Sequence, residues 1–185
     1  MKRLIIFRHG DYDEYKNLIE TCAQDLFRKA RHIQEFVGHP AAIFASPIKR
    51  AWQTANVLNL AFGNVPLFEK NELRDFNALS IPYFAKRFAL EAQQNFADRD
   101  VLVWVTHEPS VHELLGITLH TSEWIVLEAP EWEKIFEPKC RKIYHAANFL
   151  TAQGVSTNEA FHKLVEWTFD ALSDEETQKI SSLLK

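Results

Sequence analysis

The chain has few cysteines, no long apolar run and no excess of positive charge. Its two cysteines, Cys22 and Cys140, form no CxxC pair, so we expect both to be reduced thiols in the core of a cytoplasmic protein. No apolar run approaches the roughly 18 residues of a transmembrane helix, and the four apolar residues directly before Arg8 are too few for a signal peptide. The net charge of −4 argues against a general nucleic-acid binder and against attachment to an anionic membrane.

Metal-binding patterns are also missing from the sequence. Apart from His9 and His107, the histidines show neither HExxH spacing nor the pairing with cysteines that is typical of zinc sites. These other histidines are His32, His39, His112, His120, His145 and His162. We therefore expect no bound metal and no cofactor.

Size and composition indicate one globular domain. The chain has 185 residues, of which 46% are hydrophobic and 25% charged, the proportions of an ordinary soluble protein. A chain of this length buries roughly 70% of the surface that it exposes when unfolded, which is enough for a substantial core. Since there is no repeat, low-complexity tract or linker, we predict a single domain over residues 1–185 with a C-terminal helical extension over about 155–185.

Short apolar runs alternate with segments of helical periodicity. We predict strands over 4–7, 42–45, 67–68, 101–106 and 124–127, and at 142–149 we favour a strand over a helix. Helices are predicted over 18–37, 47–62, 82–96, 110–119, 157–172 and 174–184. Ser46 and Ser173 are the predicted N-caps of the second and the last of these helices. The alternation predicts an α/β fold, a three-layer α/β/α sandwich with a mostly parallel sheet.

Three of the predicted strands end in arginines or histidines. The first runs into Arg8-His9-Gly10, the second into Ser46-Pro47-Ile48-Lys49-Arg50, and the strand at 101–106 into His107-Glu108-Pro109. Ligands of α/β sheets bind beyond the carboxyl ends of the strands, so three parallel neighbours would bring Arg8, His9, Arg50 and His107 together. Two arginines and two histidines suit a phosphoryl group that His9 attacks.

Each of these residue types has a role in phosphoryl transfer. A neutral imidazole is a competent nucleophile near pH 7, whereas a hydroxyl needs an activating base. Arg8 and Arg50 present planar forks that can each bind two phosphate oxygens and stabilise the charge of the transition state. His107, when protonated, adds a further donor. We expect Gly10 to supply the backbone freedom for a sharp turn after the nucleophile.

The order of these motifs resembles that of a known family. Arg8-His9-Gly10, the segment Ala45-Ser46-Pro47-Ile48-Lys49-Arg50-Ala51-Trp52-Gln53-Thr54-Ala55, and Val105-Thr106-His107-Glu108-Pro109 are similar to the three signature blocks of the histidine phosphatase superfamily. The resemblance covers roughly residues 3–128 and implies the phosphoglycerate mutase-like fold. It also implies a metal-independent phosphatase that forms a covalent phosphohistidine on His9, in a short form similar to bacterial phosphohistidine phosphatases.

The resemblance further implies a proton donor for the leaving group, at the position of Asp75. Glu72 lies close to it in sequence, Glu108 follows His107, and the resemblance to phosphohistidine phosphatases allows a site with no dedicated acid. The predicted catalytic residues are Arg8, His9, Arg50, Asp75 and His107. The predicted substrate-binding residues are Arg8, Gly10, Arg50, His107 and Glu108.

Two other functions remain open. The same residues would serve a mutase acting on phosphorylated sugar acids, but only about 50 residues separate Arg50 from Val101. That leaves little room for the lid of a mutase and favours hydrolysis. The other alternative is a non-catalytic phosphate-binding protein with the same fold. Small phosphoesters, nucleotides and phosphohistidine on a partner protein all fit as substrates.

Overall fold

Six strands form one sheet in the computed structural model. The structure describes residues 1–185 apart from the side chains of residues 76–78. The strands are β1 (Lys2–Arg8), β2 (Ile43–Ala45), β3 (Leu67–Glu69), β4 (Val101–Thr106), β5 (Trp124–Ala129) and β6 (Lys142–His145). Their order across the sheet is β3-β2-β4-β1-β5-β6. The first four strands run parallel, whereas β5 is antiparallel to β1 and β6 to β5. The predicted mostly parallel sheet is confirmed.

Helices lie between and after the strands. They are α1 (Glu20–Val37), α2 (Lys49–Ala61), α3 (Ile81–Asn95), α4 (Glu108–Leu115), α5 (Ala146–Ala152), α6 (Thr157–Glu166) and α7 (Asp174–Leu183). Short 3-10 segments cover Asn71–Leu73, Asp75–Ser80, Trp132–Lys134 and Trp167–Phe169. None of the helices in the described part of the chain has the length and apolar content needed to cross a bilayer.

The sheet carries a hydrophobic core on each face, because successive side chains of a strand point to opposite sides. From β1, Ile5 and Phe7 enter the core that is shared with α1, α2 and the C-terminal helices. Leu4 and Ile6 enter the opposite core, which is shared with α3. A strand covered on both faces has no polar side, so it appears in the sequence as an unbroken apolar run. The predicted three-layer sandwich is confirmed.

Several predicted element ends are wrong. The helix expected at 110–119 is α4, which begins at Glu108 and ends at Leu115 because Gly116 adopts a left-handed conformation with φ 68°. The strand favoured over 142–149 stops at His145. Helix α5 begins at the next residue, and its Phe149 and Leu150 are buried in the core. The helix expected at 157–172 ends at Glu166 and continues only as a 3-10 segment.

Ser46 does not cap α2, contrary to the prediction. The helix begins at Lys49, with Ile48 at the cap position and no side-chain cap. The Ser46 hydroxyl instead lies 2.8 Å from Nε2 of His107. Ser173 does cap α7 as predicted, in a reciprocal capping box with Glu176.

The two cysteines have different surroundings. Cys22 of α1 is buried, as expected, whereas Cys140 is exposed in the turn before β6, so the prediction of a core position is wrong for Cys140. Neither thiol is in a disulfide.

The C-terminal helices pack onto the same core as α1 and α2. Ala160, Trp167 and Ile180 are buried there, and the Trp167 ring stacks on the His32 ring of α1 with centroids 5.1 Å apart. This part of the chain therefore contributes apolar surface to the main core.

We expect Ile180→Ala to lower the free energy of unfolding by about 2–5 kcal/mol, because it removes buried methylene groups and leaves a cavity. Ile180 is fully buried, whereas Phe169 is 80% exposed. Phe169→Ala is therefore the control, with an expected change within about 0.5 kcal/mol. Urea unfolding monitored by circular dichroism measures both variants. Equal losses would contradict the packing of α7 in the core.

Candidate active site

The carboxyl ends of β1, β2 and β4 lie side by side at one edge of the sheet. Arg8 is in register with Thr106 across the β1–β4 pair, and the His9 amide donates to the Thr106 carbonyl over 3.1 Å. The Ser46 amide donates to the Val105 carbonyl over 3.0 Å. The three segments that follow these strands therefore start from neighbouring points.

Both imidazoles lie against the Arg50 guanidinium. The His9 and His107 ring centroids are 5.0 Å apart. Arg50 Nε donates to His9 Nε2 over 3.0 Å, and Arg50 Nη2 is 3.5 Å from His107 Nδ1. His9 is 3% and His107 1% exposed. The structure thus brings three of the four predicted basic residues into direct contact in a buried pocket.

His9 has one ring nitrogen ready for attack. Its Nδ1 lies 2.8 Å from the Gly10 carbonyl, which can only accept, so we assign the proton to Nδ1. The unprotonated Nε2 then accepts from Arg50. Burial lowers the His9 pKa from 6.5 to about 4, with smaller contributions from the charges of Arg50 and Arg8. His9 is therefore neutral near pH 7, as a nucleophile must be.

His107 is also neutral near pH 7. Burial lowers its pKa most strongly, followed by the neighbouring His9 and the charge of Arg50, while Asp75 acts in the opposite direction. A bound phosphate dianion would add negative charge beside the ring and favour its protonated form.

Arg8 reaches the same pocket from the end of β1. Its charge lowers the pKa of both His9 and His107. Arg8 Nη1 donates to the Leu119 carbonyl over 2.5 Å, which holds the side chain in place. Its Nε is buried and has no hydrogen-bond partner within the described part of the chain. An unpaired buried donor is costly, and the oxygen of a bound anion would satisfy it.

Asp75 is the carboxylate that the structure places in this pocket. Its Oδ2 is 2.9 Å from Arg50 Nη2, and its charge acts on both imidazoles. The segment before it is held at the sheet edge, because the Thr106 hydroxyl donates to the Leu73 carbonyl over 2.9 Å.

The other two candidate acids are on neighbouring elements. Glu72 is close to Asp75 in sequence, but its carboxylate forms an ion pair with Arg87 of α3. Glu108 is the first residue of α4 and is half-buried.

Gly10 is needed for space rather than for an unusual backbone conformation. Its φ lies outside the left-handed region, so the turn after His9 does not require the backbone freedom of glycine that was predicted. A Cβ at this position would lie 2.4 Å from Leu18 Cδ1 and 2.7 Å from Cys22 Sγ. The amide of Gly10 donates to Thr54 Oγ1 over 3.0 Å, which ties the segment after His9 to α2.

Sequence reasoning missed three groups around the pocket. The Tyr12 ring lies 5.6 Å from the His9 ring and 5.0 Å from Arg50 Cζ, and no sequence pattern indicated this position. Buried Gln53 accepts from the Leu18 amide over 2.8 Å, and the Thr54 hydroxyl donates to the Arg50 carbonyl over 2.8 Å. Gln53 and Thr54 both belong to the second motif, three and four positions after Arg50. This spacing puts them on the same side of a helix as Arg50, and it was the signal that could have indicated their position.

No group of three or more histidine, cysteine, aspartate or glutamate side chains suited to a metal ion occurs among the described residues.

The fold matches those of solved phosphatases. A protein histidine phosphatase SixA, solved with tungstate, is 17% identical, with a TM-score of 0.60, and the similarity covers 77% of this chain and 94% of that one. A mycobacterial glucosyl-3-phosphoglycerate phosphatase is 17% identical, with a TM-score of 0.54 and coverage of 78% and 97%. This chain has the histidine phosphatase fold.

The similarity also extends to the C-terminal helices. Mycobacterial hydrolase 2 is 15% identical, with a TM-score of 0.53, and covers 100% of this chain and 98% of its own. No protein-family model and no curated protein matches the chain by sequence. The histidine phosphatase fold is therefore recognised from the arrangement of the elements, at identities too low to transfer an activity.

We expect the buried imidazoles to make stability fall as the pH drops from about 6.5 to 4. In the unfolded chain a histidine takes up its proton near pH 6.5, but His9 in the fold does so only near 4. Protons therefore bind preferentially to the unfolded state in this window, and the loss from His9 reaches about 3 kcal/mol. His9→Asn should show a clearly shallower fall in the free energy of unfolding.

Urea titrations at several pH values measure this difference. The matched control is His112→Asn, since His112 is exposed on α4 and outside the pocket. That variant should follow the wild type. Identical pH dependence of the wild type and His9→Asn would show that His9 is not held neutral by the fold.

Proposed function

We propose that this protein is a phosphatase that hydrolyses a phosphomonoester or a phosphohistidine through a covalent phosphohistidine on His9. The main support is the state of His9: a neutral ring with its proton held by the Gly10 carbonyl and its Nε2 beside the Arg50 guanidinium. The histidine phosphatase fold and a neighbour solved with tungstate, a tetrahedral oxyanion, agree with this proposal.

In the first step the phosphate of the substrate binds to the guanidinium groups of Arg8 and Arg50. Its oxygens accept from Arg50, from the unpaired Nε of Arg8 and from protonated His107. Once Arg50 turns to the phosphate, the lone pair of His9 Nε2 is free to attack phosphorus. A P–N bond to His9 forms while the bond from phosphorus to the leaving group breaks, which is P–O in a phosphomonoester and P–N in a phosphohistidine, and the arginines stabilise the charge spread over the three remaining oxygens.

We assign the proton donor to Asp75. Its carboxylate pairs with Arg50, and a phosphate dianion would compete for the same guanidinium. The displaced carboxylate then lies beside a dianion, which favours its protonated form. Asp75 gives this proton to the leaving oxygen and takes one from the water that attacks phosphohistidine in the second step. The P–N bond breaks, inorganic phosphate leaves and His9 is regenerated.

The substrate is a phosphorylated small molecule or a phosphorylated protein. The named neighbours are a protein histidine phosphatase and a glucosyl-3-phosphoglycerate phosphatase, so the same fold accommodates both classes. We propose that Glu108, which follows His107 at the start of α4, and the Tyr12 ring beside His9 contact the leaving group.

We expect His9→Asn to reduce hydrolysis of p-nitrophenyl phosphate by at least about 10³-fold, because no other group in the pocket replaces the nucleophile. The wild type should acquire a ³²P label that is labile in acid and stable in alkali. This label should be absent from the variant. His112→Asn is the control and should keep wild-type turnover. Wild-type turnover in His9→Asn would rule out His9 as the nucleophile.

The same assay separates the alternative functions. Activity should be unchanged by EDTA, since the proposed steps use only side chains and water. Conversion of 3-phosphoglycerate to an isomer without release of inorganic phosphate would identify a mutase. Binding of inorganic phosphate with no turnover of any phosphorylated substrate would identify a non-catalytic protein.

We expect Asp75→Asn to discriminate between leaving groups. An alkyl oxygen needs a proton to leave, so its hydrolysis should slow by about 10²–10⁴-fold, whereas p-nitrophenolate leaves unaided and should be affected far less. Glu72→Gln removes a neighbouring carboxylate that pairs with Arg87 and should leave both rates near wild type. Comparing kcat/KM for the two substrates tests the assignment, because it excludes the second step, which both substrates share. Equal slowing of both would exclude Asp75 as the acid.

A further inference from the structure

Ser46 holds His107 from the side opposite the pocket. The side chain is fully buried between the end of β2 and the start of α2. Its Oγ lies 2.8 Å from His107 Nε2 and accepts from the Ile48 amide over 3.3 Å. The Ser46 amide donates to the Val105 carbonyl over 3.0 Å. The Ile48 amide thus holds the hydroxyl, and the bond to Val105 anchors the Ser46 backbone on β4, so the position of the hydroxyl relative to the ring is constrained.

The two nitrogens of His107 face different kinds of partner. Nδ1 faces Arg50 Nη2 at 3.5 Å, and a guanidinium nitrogen can only donate. A proton on Nδ1 of the neutral ring would therefore point at another donor. The serine oxygen at Nε2 can accept. The contacts favour the tautomer with the proton on Nε2 and the lone pair of Nδ1 turned toward Arg50 and the pocket.

We propose that Ser46 is a positioning residue that selects this tautomer of His107 and supports the protonated ring after phosphate binds. The proposal rests on the proposed function for its catalytic consequence only. When the phosphate enters, the new proton is added at Nδ1, on the pocket side, and Nδ1–H donates to a phosphate oxygen. The Nε2–H bond to Ser46 persists and becomes charge-assisted, which makes it stronger.

The protonated form of His107 depends on every charged or titratable group around it. Arg8 at the end of β1, His9 after it and Arg50 on α2 oppose protonation, whereas Asp75 favours it. Ser46 adds an uncharged acceptor to this set. Removal of its oxygen leaves the Nε2–H of a buried cation without its partner, so the protonated state becomes harder to form.

The test compares Ser46→Ala with Ser110→Ala. Both positions are buried serines, but the Ser110 hydroxyl has no hydrogen-bond partner among the described residues. Ser110→Ala therefore controls for the loss of a buried hydroxyl without the loss of a bond to His107. Thermal unfolding of both variants establishes that they are folded.

The first readout needs no activity. In ¹⁵N-labelled protein, long-range proton–nitrogen spectra assign the tautomer of each histidine. We expect His107 to carry its proton on Nε2 in the wild type and in Ser110→Ala. In Ser46→Ala we expect a shift toward the Nδ1–H form or a mixture. Addition of inorganic phosphate should protonate His107 in the wild type and do so less completely in Ser46→Ala. If His107 in Ser46→Ala still carries its proton on Nε2 alone, the proposal is wrong.

The second readout is the pH dependence of kcat. Ser46→Ala should lower kcat by about 10- to 100-fold and move the alkaline limb to lower pH by about one unit. A purely structural defect would lower kcat without moving the limb, and that result, or an equal shift in Ser110→Ala, would contradict the proposal. If the wild type shows no turnover, the proposed function fails, and the spectra still decide the role of Ser46.

Discussion

The contact of one guanidinium with two buried imidazoles is the constraint around which this site is organised. Arg50 touches His9, His107 and Asp75 at the same time. Burial is the main reason that both rings are neutral, and the charge of Arg50 acts in the same direction on each pKa. In the proposed mechanism neutral His9 attacks phosphorus, and the arriving anion supplies the charge that protonates His107. One arrangement would thus keep both residues in the states that the proposed steps need.

The pocket depends on a layer of buried polar groups behind it. Thr54 links Gly10 to the backbone of Arg50, Ser46 supports His107, and Thr106 holds Leu73 just before Asp75. Each of these side chains joins two segments that are distant in sequence. Buried hydroxyls of this kind are costly unless they are paired, and their pairing here fixes the distances among the reacting groups. The strands bring the segments together, but these bonds orient them.

Much of the fold follows from short-range patterns. Unbroken apolar runs such as 101–106 indicate strands covered on both faces, and the 3-and-4 spacing of 18–37 indicates an amphipathic helix. Element ends were harder to predict, because they depend on contacts made after folding. Ser46 illustrates this: beside Pro47 it resembles a helix cap, yet its hydroxyl is taken by an imidazole 61 residues away. The positions of Tyr12 and of the exposed Cys140 had no local signal either.

The motifs alone were enough to propose an anion pocket with His9, His107, Arg8 and Arg50, since each basic residue lies at the end of a buried apolar strand or within five residues after it, and parallel neighbours end at one edge. Which nitrogen of each ring faces the pocket, and that Asp75 rather than Glu72 lies against Arg50, came from the folded arrangement. Proton positions and ion pairs are set by atoms within about 3 Å, and those neighbours come from segments far apart in the chain.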